Sequence, residues 1–327
     1  MEKYITGIQS NGIPHLGNFL SIILPTISLI KNNNKKKIFI MIADLHSLTN
    51  FKNNILNKEY IYINAAIWLS FNINLLQKNI YFYRQSDIKE INELFWYLNC
   101  FFPFNRLKLS HKYKNNINNN YNVGIINYPI LMASDILLLN INKVIIGRDQ
   151  LQHIEYTRKI AKIFNYKFKK KIFILPKQKI FNNKIIPGID GKKMSKSLNN
   201  TINIFNNKEK LKKQIFKIKT SNRSINKISY YKIKNTILLK IYKLLVNKDE
   251  YIYIKEKIKS LKIGFYNIKK RLFNYIIYKF KKERKKFLFY LNNKHLIKKI
   301  LYKGYKKIKQ KSIKKINFIK KYLGLKI

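Results

Sequence analysis

Tyr4-Ile5-Thr6-Gly7-Ile8-Gln9-Ser10-Asn11-Gly12-Ile13-Pro14-His15-Leu16-Gly17-Asn18 is the stretch on which the fold turns. Tyr4–Ile8 is a short apolar run that reads as a strand. Gln9-Ser10-Asn11-Gly12 is a polar turn, and a helix is expected from about Leu16 to Ile30. The alternation continues outward. Lys37–Ile42, Asn79–Tyr83 and Lys143–Ile146 read as strands, and Ile55–Leu69, Ile88–Phe101, Pro129–Leu139 and Gln152–Phe164 as helices. Strands alternating with helices predict an α/β parallel sheet. Beyond Leu198 Gly and Pro become scarce. The chain reads as long helices at Lys208–Lys219, Lys232–Leu245, Glu250–Leu261, Ile268–Asn293 and Lys294–Tyr322. The sequence thus predicts a Rossmann-like domain over 1–190, followed by an all-helical domain over 191–327.

Composition sets limits on function. A chain of 327 residues, 46% hydrophobic, can bury a sizeable core. Lys+Arg 68 against Asp+Glu 15 gives a formal charge of +53, which suits a polyanionic partner. The enrichment in Lys, Asn, Ile, Tyr and Phe runs through helices and loops alike, so codon bias explains the charge more simply than selection does. The single cysteine, Cys100, excludes an intrachain disulfide framework and any Cys-based metal cluster. No signal peptide is read at the start, and Phe19–Ile30 is too short to span a bilayer. A soluble, cytoplasmic protein is expected.

Two short motifs carry chemistry. His15-Leu16-Gly17-Asn18 falls where the first strand hands over to a helix, at the carboxyl edge where such sheets bind ligands. A helix N-terminus there would offer free N–H groups to phosphate. His15 either donates to phosphate or caps the helix, and Gly17 either admits a ligand or shapes a turn. Lys193-Met194-Ser195-Lys196-Ser197 follows Pro187-Gly188-Ile189-Asp190-Gly191, read as a flexible hinge. Two mobile ammonium groups can stabilise charge that builds on pyrophosphate as ATP is attacked at its α-phosphate.

These two signatures resemble those of class I aminoacyl-tRNA synthetases, and the rest of the chain resembles the bacterial-type tryptophanyl-tRNA synthetases. The resembling stretches are Thr6-Gly7-Ile8-Gln9, Ala43-Asp44-Leu45-His46-Ser47-Leu48-Thr49, Tyr128-Pro129-Ile130-Leu131-Met132-Ala133-Ser134-Asp135-Ile136-Leu137, Gly147-Arg148-Asp149-Gln150-Leu151-Gln152-His153-Ile154-Glu155 and Lys192–Ser197. The resemblance implies a Rossmann-like ATP- and tryptophan-binding catalytic domain followed by a helical anticodon-binding domain. It further implies a homodimer, with L-tryptophan, ATP and tRNA(Trp) as substrates and Mg2+ carried by the ATP rather than by a protein metal site.

Roles follow position by position. The resemblance implies that Asp135 accepts the indole N–H of tryptophan while Met132, Val144 and Ile146 pack the indole. Gly7 and His46 lie beside that pocket, and Gln150 holds the amino group. Gln9, Gly17 and Asn18 contact ATP, Gly147 and Asp149 its ribose, and Ile185 its adenine. Lys114 takes the place of a phosphate-binding lysine. His15, Lys193 and Lys196 are the catalytic residues, with Met194, Ser195 and Ser197 completing the lysine loop. Against the tyrosyl relatives, this chain has Thr6-Gly7-Ile8-Gln9 on the first strand and Met132 where they have Gln. It departs from the family at Ser10-Asn11 after Gln9 and at Leu198-Asn199-Asn200 after the lysine loop. A non-catalytic RNA-binding descendant of such an enzyme is the rival reading, and a small-molecule nucleotidyltransferase the third.

Overall fold

The structure, a computed structural model, describes residues 1–32, 35–50, 58–73, 75, 77–108, 122–181, 186–220, 233 and 236–325. Five parallel strands form one sheet in the order β3-β2-β1-β4-β5: β1 (Lys3–Gln9), β2 (Lys37–Ala43), β3 (Ile80–Arg84), β4 (Lys143–Ile145) and β5 (Lys177–Lys179). The expected α/β fold with a Rossmann-like parallel sheet is present. β2 is buried at every position from Ile38 to Ala43, as a central strand covered on both faces must be. β1 pairs with β2 on one side and β4 on the other, so the direction of crossover reverses there. Ligands of such sheets bind beyond the carboxyl ends at that reversal. Gln9, Asp44, Gln85 and Gly147 stand at or just past those ends.

Several elements differ from expectation. Lys177-Gln178-Lys179 adds a fifth strand that carries no apolar residue to betray it. The helix expected over Leu16–Ile30 is three pieces: α1 (Leu16–Asn18), a π turn (Phe19–Ile23) and α2 (Leu24–Lys31). Pro25, which has no N–H for the i→i−4 ladder, opens α2. The helix expected over Ile268–Asn293 is broken at Phe280, whose ring is buried edge-on against Phe19, the centroids 5.4 Å apart.

The chain divides into two compact units. One holds Met1–Ile13, Ser21–Asn182 and Tyr290–Ile327, and the other holds Pro14–Leu20 and Asn183–Phe289. This differs in two ways from a single boundary at residue 190. Pro14–Leu20 groups with the later residues, and the last helix, Lys294–Leu323, groups with the sheet. That helix packs on β3, where Gly304 lies directly against the Phe82 carbonyl. Its Lys307 donates to the carbonyls of Leu75, Gln77 and Ile80 at 3.1–3.3 Å, Lys311 to the Tyr81 hydroxyl at 2.6 Å and Lys315 to Ile172 O at 2.6 Å. Among the described residues no helix is long and apolar enough to cross a membrane.

Candidate active site

In the sheet-bearing unit the site is built around one buried carboxylate. Asp135, 1% exposed, sits on the helix Tyr128–Leu138. His46, in the 3-10 turn Leu45–Asn50 after β2, places Nε2 2.9 Å from Asp135 Oδ2. Gln85, just past β3, donates Nε2 to both carboxylate oxygens at 2.9 Å, and its Oε1 accepts the His46 backbone N–H at 3.3 Å. Burial pushes the Asp135 carboxyl above its ordinary value, while the bonds from His46 and Gln85 work against that shift. Among the described residues, two further buried polar atoms of this cluster, His46 Nδ1 and the Tyr83 hydroxyl, have no hydrogen-bond partner. Burial and the nearby Asp135 charge drive the Tyr83 phenol well above its usual range.

Apolar residues expected at this site lie in or against the core of the same unit. Val144 and Ile146 are buried in the same core as Ile136 and Leu137, and Met132 packs against it. The Tyr128 ring lies 4.4 Å from the His46 ring, and its hydroxyl accepts from Gln9 Nε2 at 3.2 Å. At Gly7 a Cβ would stand 3.1 Å from Met41 Cε, so the strand approaches its neighbour closely there. Asp44 fixes the turn that carries His46 by accepting from Leu45 N, Ser86 N and Ser86 Oγ. Past β4, Gly147 caps the turn Arg148–Gln150, in which Gln150 Nε2 donates to Asp149 Oδ2 at 3.1 Å. A Cβ at Gly147 would lie 2.7 Å from Asp149 Oδ1. Of the residues expected at the tryptophan site, His46 and Asp135 meet directly, Met132 packs on the apolar core that holds Val144 and Ile146, and Gly7 lies against Met41, while Asp149 stands exposed on the following turn.

The other unit brings both signature motifs together. Leu16 N donates to Ile202 O at 2.7 Å, five residues past the lysine loop, and Phe19 packs on Phe205. His15 is the N-cap of α1: its Nδ1 accepts from Gly17 N at 3.0 Å and Asn18 N at 3.4 Å, while Asn18 Oδ1 accepts from His15 N. With Phe19 N bonded to His15 O, all four first-turn N–H groups are engaged. The free N–H groups expected there for phosphate are therefore engaged within the chain, two of them by the His15 ring and the others by the Ile202 and His15 carbonyls. Gly17 is required by the same ring, since a Cβ would lie 2.7–2.8 Å from it. Capping through Nδ1 leaves the proton of a neutral His15 on Nε2.

The segment read as a hinge, Pro187–Gly191, and the start of the lysine loop after it form a hydrogen-bonded turn. Pro187 and Lys193 form an antiparallel bridge, with Gly188 N bonded to Lys192 O and Met194 N to Ile186 O. Met194 is buried and anchors the segment, Lys193 and Ser197 are exposed, and Ser195 Oγ lies 3.1 Å from Ser197 Oγ. Burial lowers the Lys196 ammonium to about 8. Lys114 and Ile185 lie outside the described residues. Gln85, which bonds Asp135, and Tyr83, which lies near it, do not stand out in the sequence; only the placing of Gln85 at a strand's carboxyl end could have signalled it. Among the described residues no group of three or more His, Cys, Asp or Glu side chains could hold a metal ion.

Comparison with known proteins places this geometry. Residues 2–281 match the family described as tRNA synthetases class I (W and Y). The tryptophan–tRNA ligase of Fusobacterium nucleatum is 35% identical over 328 residues, covering 99% of this chain and 98% of that protein. That of Xanthomonas axonopodis is 37% identical over 233 residues, 68% of this chain and 53% of that one. The solved structure of tryptophanyl-tRNA synthetase from Campylobacter jejuni, complexed with ADP and tryptophan, superposes with a TM-score of 0.88 at 31% identity, covering 99% of this chain and all of that one.

Proposed function

Because the chain belongs to the class I tRNA synthetases for tryptophan and tyrosine, and within them to the tryptophan–tRNA ligases, we propose the following division of labour for the ligase reaction. The tryptophan carboxylate attacks the α-phosphate of Mg-ATP. The bond to the bridging oxygen breaks, and pyrophosphate leaves tryptophanyl-adenylate. A ribose hydroxyl at the 3′ end of tRNA(Trp) then attacks the acyl carbon and releases AMP.

Asp135, held by His46 and Gln85, accepts the indole N–H; that buried, pre-aimed acceptor is the observation carrying the reading. A charge-assisted bond of this kind favours tryptophan over phenylalanine, because phenylalanine leaves the acceptor unpaired. Sites built on such a bond discriminate by roughly 10⁴–10⁵. Met132, Val144 and Ile146 pack the indole beside Gly7, and Gln150 takes the amino group. Gln9, Gly17, Asn18, Lys114, Gly147, Asp149 and Ile185 hold ATP, whose phosphates bring in Mg2+. His15 donates from Nε2 to phosphate, and Lys193 and Lys196, carried by Met194, Ser195 and Ser197, neutralise the leaving pyrophosphate. The protein works as a cytoplasmic homodimer, with the helices beyond residue 191 reading the anticodon.

Tryptophan-dependent ATP–pyrophosphate exchange tests this, with tyrosine and phenylalanine as parallel substrates. Exchange with tryptophan alone is expected. Exchange with tyrosine in its place would reassign the Asp135 pocket, and RNA binding without any exchange would favour a non-catalytic protein.

A further inference from the structure

Asn200 is 2% exposed although Leu198 and Asn199 beside it lie open to solvent. Every polar atom of its side chain is used within the lysine loop. Oδ1 accepts the Ser195 backbone N–H at 2.8 Å, and Nδ2 donates to Asp190 Oδ1 at 2.9 Å and to Lys193 O at 3.1 Å. Its backbone carbonyl accepts Ile189 N at 3.0 Å. Asp190 Oδ1 in turn accepts Lys192 N at 3.0 Å. One amide therefore ties together the Asp190 carboxylate, the backbone of Lys193 and the residue preceding Lys196. Gly188 makes room for it, since a Cβ there would lie 2.8 Å from Asn200 O and overlap the amide itself. Against a desolvation penalty, the bonds from Asn200 and the Lys192 N–H hold the Asp190 carboxyl below its ordinary value, as a carboxylate serving as acceptor requires.

We propose that Asn200, latched to Asp190, is a positioning residue that sets the lysine loop, fixing where Lys193 and Lys196 present their ammonium groups. The proposal rests on the reading of those two lysines as the groups that stabilise pyrophosphate. Asn200 touches no reacting atom in this arrangement and acts through the loop backbone. Between the lysines and the latch, Asn199 takes the left-handed conformation at φ 49°, which asparagine tolerates.

Three variants of the full chain test it: Asn200→Ala, Asn200→Asp and the exchange Asn200→Asp with Asp190→Asn. Asn200→Asp sets two carboxylates face to face. The paired exchange restores one donor and one acceptor but leaves Lys193 O without its partner. In pyrophosphate exchange, kcat is expected to fall roughly 10- to 100-fold in both single variants while the tryptophan KM stays within roughly two-fold. The paired exchange is expected to recover part of the loss. Hydrogen exchange at the Ser195 amide, which does not depend on catalysis, is expected to speed up in the single variants and slow again in the pair. Unchanged Ser195 protection in Asn200→Ala, or single variants with kcat within roughly two-fold of the parent, would overturn the proposal. No tryptophan-dependent exchange by the unaltered protein would instead overturn the proposed function, and the Ser195 amide would then decide the latch alone.

Discussion

His46 Nε2 stands 2.9 Å from Asp135 Oδ2, with both side chains almost wholly out of water. Burial raises the Asp135 pKa above its ordinary 3.8, with His46 and Gln85 opposing the shift. Only the ionised form accepts from an indole N–H at full strength. The tryptophan KM should therefore rise as pH falls through the raised pKa, at a pH above that of an exposed carboxylate, while the ATP KM holds. Stability runs the other way. Between 3.8 and the raised value the folded state holds the extra proton, so resistance to unfolding falls as pH climbs through that window. Steady-state kinetics across pH 4–7 checks the first statement, and denaturant midpoints across the same range check the second. Asp135→Asn should remove both dependences.

Gln85 gives Asp135 two of its hydrogen bonds and gives His46 a backbone acceptor, so its loss reaches both partners. Gln85→Leu removes the donor without adding charge and should raise the tryptophan KM by roughly 10- to 100-fold, the cost of a buried carboxylate left underbonded. Gln85→Glu sets a second carboxyl against the first and should raise the Asp135 pKa further, moving the pH at which tryptophan binding fails upward. Exchange kinetics with tryptophan varied at saturating ATP reads both. A variant pair with unchanged KM would mean that Asp135 is oriented without Gln85.

Lys196 must be charged to meet a phosphate, yet burial brings its pKa down to about 8. In the free protein the ammonium is therefore lost as pH rises through about 8, and kcat/KM for ATP should decline there. The saturated rate should resist longer, since bound phosphate favours the charged form. Folding stability should rise with pH between about 8 and the ordinary 10.5, where the unfolded chain keeps a proton the folded one has shed. Lys196→Ala should cut kcat by roughly 10²–10³, as removal of one charge-stabilising donor does elsewhere. Lys196→Arg should shift the alkaline decline out of range. Rate profiles over pH 6–10 on the three proteins separate these effects.

Much of this was legible in the residues, for physical reasons that also explain the gaps. β1, β2, β3 and β4 are apolar runs ended by polar turns, so each strand reads within a residue or two of its position. β5 does not, because Lys177-Gln178-Lys179 pairs through its backbone while its side chains face water. The lysine loop and Asp135 stand out as motifs, but Gln85 and Asn200 are ordinary amides whose importance comes from partners 50 and up to 10 residues distant. His15 reads as either a phosphate donor or a helix cap, and its ring is seen capping the first turn. The last helix reads as a continuation of the helical domain because it shares the long Lys/Ile/Leu/Tyr pattern of the helices before it. In fact Lys307, Lys311 and Lys315 reach partners in the sheet-bearing unit.

Gly304 explains how that helix can lie so close. It stands against the backbone of Phe82 in β3, where an added Cβ would overlap the carbonyl oxygen and lie 2.6 Å from its carbon. Backbone cannot step aside as a flexible side chain can, so Gly304→Ala must lift the helix from the strand. The lysine bonds flanking the contact and the packing of Ile308 would loosen together. Overpacking of this kind costs about 3 kcal/mol at the upper end. The melting temperature should fall by roughly 6–12 °C for a unit of this size. Gly264→Ala supplies the control, since nothing stands within 4 Å of a Cβ there and its backbone is extended at φ −93°. Thermal denaturation of the two variants compares them directly. Equal melting temperatures would mean that the Lys294–Leu323 helix does not depend on close contact with β3.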